Sequence, residues 1–254
     1  MRYVRIKGPR WGVVVDGEVL VLDGSPITGQ PKETGDRIPI DHVTFLPPVI
    51  PGVFYAVGFN YRGHIEHHNA RIPDRPEPGY RANNALTGHL SPIVKPADVT
   101  GRFEAEGELV AVVGRTMKRV SRHEAQASVF GWTIGNDVSA REWQHADRTF
   151  WRSKNSDTFK PMGPWIETSV DPLEQTTTVR VDGEIRAEFA TGDMVFDPFD
   201  YLVETSKYLT LHPGDVLWMG ADSTVGIEPG STVDIEISGI GTLSNPVRTE
   251  RHPR

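Results

Sequence analysis

The chain has no cysteine. Disulfide staples, thiolate metal ligands and a cysteine nucleophile are therefore excluded, and the absence fits a cytoplasmic protein. No apolar run approaches the ~18 residues of a membrane span. The first twelve residues carry charges without the apolar core of a signal peptide. Positive charge is scarce as well: 27 Lys and Arg stand against 34 Asp and Glu, a formal net charge of −7. No Lys/Arg run marks a nucleic-acid face. Several catalytic signatures are also missing. Gly239-Ile240-Gly241 opens no dinucleotide-binding helix, and Gly220-Ala221-Asp222-Ser223 lacks the Gly-Lys-Ser/Thr ending of a phosphate loop. Ser139 has no nucleophile elbow around it. Internal repeats and low-complexity segments are absent. The expectation is a cytoplasmic protein that binds neither nucleic acid nor membrane.

What is present is an ordinary globular composition, 37% hydrophobic over 254 residues. That length suits one large domain, or a domain with a small appendage. Residues 11–15 and 18–22 flank Asp16-Gly17, a two-residue hairpin signal. Residues 24–39 read as a polar connecting stretch, and Pro47-Pro48 and Pro51-Gly52 punctuate the chain. These features predict a small β domain over residues 1–50 and a larger domain over 51–254. In the latter, residues 54–57 read as a buried strand, 71–84 as a long surface loop and 141–164 as a polar, aromatic loop. Ser121-Arg122-His123-Glu124 is a capping box. Asp197-Pro198 starts a second helix whose apolar positions Phe199, Leu202, Val203 and Leu209 follow helical spacing. Asp182-Gly183 predicts a hairpin, and Val233, Ile235 and Ile237 alternate with acids as in a half-buried strand. The sum is a β-rich α+β protein.

Glu106-Gly107-Glu108 leads into the apolar run 109–113, so both carboxylates sit on one face of a strand. Like charges this close are held most easily with a cation between them. Asp137 follows a second strand-like run at 130–134. Three oxygen donors suit magnesium, manganese or calcium better than zinc; two solvated glutamates at a strand start are the plain alternative. His64 and His68, four apart, could share a helical face. Glutamate does not follow His64 directly, so the metalloprotease pattern is absent. A general base beside a metal and an exposed His-rich turn both remain open. Taken singly, Lys154 and Gln144 read as ordinary surface residues.

The ordered set is more specific than its parts. It runs Gly58-Phe59-Asn60-Tyr61-x-x-His64, Glu106-Gly107-Glu108-Leu109, then Gly131-Trp132-Thr133-Ile134-Gly135-Asn136-Asp137-Val138-Ser139-Ala140-Arg141-Glu142-Trp143-Gln144. Lys154, Asp157-Thr158-Phe159-Lys160-Pro161-Met162-Gly163-Pro164-Trp165, Val181-Asp182-Gly183-Glu184 and Gly239-Ile240-Gly241-Thr242-Leu243 follow. The set resembles the fumarylacetoacetate hydrolase superfamily over about residues 53–247, and the N-terminal hairpin unit resembles the small leading domain of its short bacterial members.

The resemblance implies a folded mixed β-sheet roll, a homodimer, and a magnesium or manganese ion held by Glu106, Glu108 and Asp137. It implies His64 and Lys154 as catalytic residues, with Glu66 nearest the position of the histidine's usual partner. Gln144, Tyr61 and Arg81 are the implied substrate contacts. The implied activity is hydrolysis of a C–C bond in a 1,3-diketone or acylpyruvate-type 2-oxo acid, in aromatic or small-acid catabolism. Decarboxylation, isomerisation or hydration through the same metal-stabilised enolate is the alternative. Three positions depart from the family pattern. His67 stands where a glutamate partners the histidine, with Glu66 one residue early. Gly220-Ala221-Asp222 replaces a Gly-Thr-Pro turn, and Tyr80-Arg81-Ala82 replaces a Phe-x-Lys in the lid.

Overall fold

The computed structural model describes residues 1–250. Asp16 and Gly17 both take positive φ, 49° and 79°, the geometry that matches a tight turn to the twist of its strands. They join Arg10–Val15 to Glu18–Leu22. Arg2–Ile6 and Glu33–Pro39 complete an antiparallel meander. The last of these lies in the stretch read above as polar connection. It is nearly all exposed, an edge strand wet on both faces, so it carries no hydrophobic alternation to read.

The meander is continuous with the central sheet, because Arg2–Ile6 pairs with Lys160–Glu167. The sheet then runs through Val129–Asn136, Gly107–Val113, Val216–Trp218, Phe54–Ala56 and Gly79–Tyr80, with Leu86–Thr87 paired beside Lys160–Glu167. Two of these pairings are parallel and the rest antiparallel. A second, five-stranded sheet holds Glu184–Ala190, Thr176–Val181, Thr232–Ile237, Gly241–Thr249 and Ile93–Lys95. Asp182 and Gly183 turn its hairpin, again with positive φ. The fold is the expected β-rich α+β arrangement of mixed sheets.

Gly107–Val113 is the hub, buried at all seven positions. Leu109, Ala111 and Val113 face the core shared with the second sheet, while Val110 and Val112 face Phe54, Met162 and Trp218. Each fully buried valine or leucine contributes roughly 1.5–3 kcal/mol, so the register of this strand is firmly set. Gly107 is required by the same packing. A Cβ there would lie 2.9 Å from Ile235 Cγ2 and 3.0 Å from Val179 Cγ2. The two flanking glutamates therefore project from the opposite face, side by side.

Helix starts follow the capping signals. Ser121 and Glu124 form the reciprocal box before Arg122–Ser128. Asp197 Oδ1 accepts from the amides of Phe199 at 2.8 Å and Asp200 at 3.0 Å before Pro198–Tyr208. That helix ends one residue short of the expected apolar series: Leu209 is its extended C-cap. The predicted loop over 141–164 also contains structure, a short helix Arg141–Gln144 and the start of Lys160–Glu167. Among the described residues no helix is long and apolar enough to cross a membrane.

Candidate active site

Glu106 and Glu108 meet Asp137 because Gly107–Val113 pairs antiparallel with Val129–Asn136, placing Gly107 opposite Asn136. Asp137 N donates to Glu106 O at 3.0 Å, and Asn136 Oδ1 accepts from Glu106 N at 3.1 Å. The three carboxylates offer oxygens within 4.8 Å of one another, and all three residues are buried. Gly135 is another enforced glycine, since a Cβ there would lie 2.5 Å from the Trp218 ring.

Four cations surround these acids unevenly. Asp137 receives Lys154 Nζ at 2.6 Å and Arg81 Nη2 at 2.9 Å on Oδ2, with Lys160 Nζ at 2.7 Å on Oδ1. Glu106 receives Lys154 Nζ at 3.0 Å and the Arg141 guanidinium. Arg141 also pairs with Glu104 at 2.7 Å and donates to Gln144 Oε1 at 2.9 Å. Among the described residues no cation pairs with Glu108. Its Oε2 accepts from Gly220 N at 2.8 Å, and its Oε1 is buried without a partner.

The protonation preferences follow. Burial alone would raise Asp137, but Arg81, Lys154 and Lys160 outweigh it and hold the carboxyl well below the usual carboxylate range. Burial is likewise outweighed at Glu106 by Lys154 and Arg141. Burial, reinforced by Asp137 and Glu106, pushes Glu108 well above that range. A buried acid with one orphaned oxygen, beside two ionised ones, is the donor set a hard divalent cation completes. The residues fit such an ion.

His64 lies on the helix Arg62–His67, near enough to Glu106, Arg141 and Lys154 to feel their charges. Asn60 secures the approach to that helix, its Nδ2 donating to Phe196 O and Met219 O, each at 3.0 Å. Burial pushes the His64 imidazole below its usual range; Glu106 opposes this, while His68, Arg141 and Lys154 add to it. The ring packs on His68 with centroids 4.6 Å apart and on Phe59 at 5.4 Å. Glu66 is exposed and makes no ion pair with His64; His67 packs on His68 instead. The neighbour of His64 is thus the histidine one turn later.

Lys154 is held by its loop. Asp147 Oδ2 accepts from the amides of Arg152 at 3.0 Å and Ser153 at 2.8 Å, and Ala140 N donates to Ser153 O at 2.9 Å. Arg81 adjoins a cavity of about 790 Å³ whose lining includes Tyr80, Asn84, Trp151 and Arg152. Gln144 is half-buried at the edge of the cluster. Tyr61 lies in the core, with its ring on Phe189 at 5.2 Å and its hydroxyl unpartnered. Three contributors were not singled out from the sequence: Arg141, Lys160 and the Gly220 amide. Arg141 and Lys160 sit inside the quoted motifs, but nothing in their spacing distinguishes them from surface cations.

Comparison with known proteins agrees with this architecture. The model of the fumarylacetoacetate (FAA) hydrolase C-terminal family matches residues 53–248, and that of the Rv2993c-like N-terminal family matches residues 1–48. The oxaloacetate tautomerase YisK of Bacillus subtilis is 36% identical over 205 residues, covering 76% of this chain and 68% of that protein. The structure of 5-carboxymethyl-2-hydroxymuconate delta-isomerase from Mycobacterium smegmatis superposes with a TM-score of 0.89 at 36% identity, covering 98% of this chain and all of that one. Maleylpyruvate hydrolase from Sphingobium sp. SYK-6, solved with manganese(II) and pyruvate, gives a TM-score of 0.82 at 25% identity, covering 99% of this chain and 100% of that chain. The relatives thus include tautomerases, isomerases and hydrolases of small molecules, and one binds a divalent metal. The chain belongs to the fumarylacetoacetate hydrolase family.

Proposed function

We propose that this protein is a divalent-metal-dependent isomerase or tautomerase of a small 2-oxo acid. The observation that carries the reading is His64: a half-buried imidazole pushed below its usual range by burial, near Glu106 of the carboxylate cluster, with no carboxylate paired to it among the described residues. A neutral imidazole can take a proton from the carbon next to a ketone and return it at the oxygen or at another carbon. Such a shuttle needs no lasting imidazolium. Activating water for attack benefits from a paired acid that stabilises the imidazolium, as in a catalytic triad, and Glu66 does not provide one.

Glu106, Glu108 and Asp137 would hold magnesium or manganese, which supplies charge to polarise the 2-oxo acid's oxygens. Lys154, fixed between Glu106 and Asp137, is placed to stabilise negative charge developing on the ketone oxygen. Arg141 orients Gln144 through the 2.9 Å bond, leaving the Gln144 amide nitrogen to contact substrate. Arg81, beside the neighbouring cavity, is the candidate for a distal carboxylate. The names of the tautomerase and isomerase relatives support this class of chemistry. By the same family likeness we propose a homodimer, which light scattering tests.

C–C bond hydrolysis is the second reading, favoured because neutral His64 is also the form that would deprotonate water. The test is incubation of oxaloacetate, acylpyruvates and ring-cleavage diacids with protein and manganese in D₂O. Catalysed keto–enol conversion with deuterium entering next to the ketone, and no cleavage, supports the isomerase. Two acid or ketone fragments, with ¹⁸O incorporated from labelled water, would refute it in favour of hydrolysis.

A further inference from the structure

Lys160 is a lysine with no exposed surface, and the proposed reaction does not use it. Its ammonium has three acceptors within reach: Phe159 O at 2.9 Å, Val138 O at 3.0 Å and Asp137 Oδ1 at 2.7 Å. Three acceptors match the three protons of an ammonium group, and two of them are shared: Phe159 O also accepts from Val138 N at 3.1 Å and Asp137 Oδ1 from Arg81 Nε at 3.3 Å. A lysine carried this far from water is uncommon unless paired.

The arrangement is one-sided. Lys160 reaches Asp137 from the strand Lys160–Glu167, on the Oδ1 oxygen, whereas Lys154 reaches Oδ2. Lys154 is shared with Glu106, and Arg81 borders the neighbouring cavity, so each has a second partner or solvent within reach. Lys160 is fixed: two backbone carbonyls anchor its nitrogen, and its side chain is wholly enclosed.

We propose that Lys160 is a built-in counter-charge of the metal site, a positioning residue that holds Asp137 in its orientation when no metal is bound and that weakens the site's grip on the metal in consequence. The inference rests on reading Glu106, Glu108 and Asp137 as metal ligands. The reasoning is electrostatic. Metal affinity of oxygen sites follows their net ligand charge. A fixed positive charge directly behind one ligand cancels part of that charge, and in a buried site the effect is weakly screened. The same charge holds Asp137 without a metal. The metal is thereby set up as an exchangeable cofactor rather than a structural one.

The experiment compares the full-length protein with Lys160→Met and Lys160→Gln. Manganese binding is followed by the loss of the free-ion signal in electron paramagnetic resonance, and thermal unfolding is recorded with chelator and with manganese. The expected result is tighter manganese binding in the variants, by about tenfold or more. Their metal-free unfolding temperature should be lower, and the upward shift on adding manganese larger, than in the unsubstituted protein. A purely structural lysine would give the opposite sign, since a disordered Asp137 would bind manganese more weakly. Unchanged or weaker binding in both variants overturns the proposal. Should neither variant fold, the unsubstituted protein decides: chelation should leave it folded with only a small fall in unfolding temperature, and unfolding on chelation would overturn the inference. If the unsubstituted protein binds no manganese at all, it is the metal reading that fails.

Discussion

Replacing Glu108 with Gln separates the roles of three carboxylates that look alike in the sequence. Glu108 Oε1 is a buried acceptor without a partner, and leaving such a group unsatisfied costs about 1–3 kcal/mol. The glutamine keeps the shape and can keep the bond to Gly220 N. Its amide nitrogen can donate toward the ionised Glu106 and Asp137. At pH values where Glu108 has given up its proton, the metal-free E108Q protein should therefore be more stable by roughly 1–3 kcal/mol, or about 2–4 °C in unfolding temperature per kcal/mol for a chain of this size. Asp137→Asn should do the reverse. It strips the carboxylate from Arg81, Lys154 and Lys160, and removing one partner of a buried pair costs about 3–5 kcal/mol. Glu106→Gln, which faces two cations, should also destabilise. The pH dependence carries a sign as well. Because the folded-state Glu108 carboxyl lies well above its ordinary 4.5, the metal-free fold binds this proton more tightly than the unfolded chain does. Its contribution to stability is complete below about 4.5 and is lost as pH rises toward the folded value; E108Q removes that slope. Differential scanning calorimetry in chelator, repeated with millimolar manganese, reads all of this. All three variants should lose the manganese-induced stabilisation. A fall in E108Q stability comparable to that of D137N, or an intact manganese response in E108Q, would refute the reasoning.

His64→Ala should lower turnover by about 10²–10⁴-fold while leaving manganese binding unchanged, as measured by D₂O exchange and manganese titration; an unaltered rate removes His64 from the mechanism. Lys154→Met should reduce the rate by about 10²-fold or more, seen chiefly in kcat. An effect confined to KM would make Lys154 a binding residue only. His89 predicts an acid limit. Burial pushes its imidazole down to about 4 from 6.5, and its Nδ1 accepts from Ser244 N at 3.0 Å, so the folded form holds it neutral. Its contribution is present above 6.5 and is lost as pH falls toward 4, about 3 kcal/mol in all. His89→Phe should flatten that part of the stability–pH curve in urea titrations, and an unchanged curve would assign the acid sensitivity elsewhere.

What the sequence made legible was whatever depends on local chemistry. Asp16-Gly17, Asp182-Gly183, Ser121-x-x-Glu124 and Asp197-Pro198 each need only their own few residues to form a turn or a cap, and each does so. The convergence of Glu106, Glu108 and Asp137 was legible because two glutamates share a strand face and the aspartate ends the next strand. Lys160 was not: its burial is created by strands distant in sequence, and nothing about Phe159-Lys160-Pro161 separates it from a surface lysine. Arg141 was similarly opaque, since its tie to Glu104 and Glu106 exists only once Ser139–Ala140 has paired with Phe103–Ala105. The offset at which a partner of His64 is expected falls on His67, with Glu66 one residue early. A carboxylate must lie on the same helical face to help, and the residue that does so is His68.

The charges around His64 bear on which of the reactions named among the relatives this site favours. Arg141 and Lys154 both disfavour an imidazolium, Glu106 favours it, and His68 adds a further like-charge neighbour. In a hydrolase the imidazolium must persist while water's oxygen attacks, so a carboxylate beside the histidine lowers the barrier. In a tautomerase the proton need only reside there briefly before returning to substrate, and a histidine that gives it back readily is the better catalyst. His67, standing where the family pattern has a carboxylate, therefore bears on the bond that changes more directly than the three clustered carboxylates do. Introducing an acid at His68, by His68→Glu, should raise the His64 pKa and move the acidic limb of the pH–rate profile upward. If that limb stayed in place, His64 would not be the titrating base.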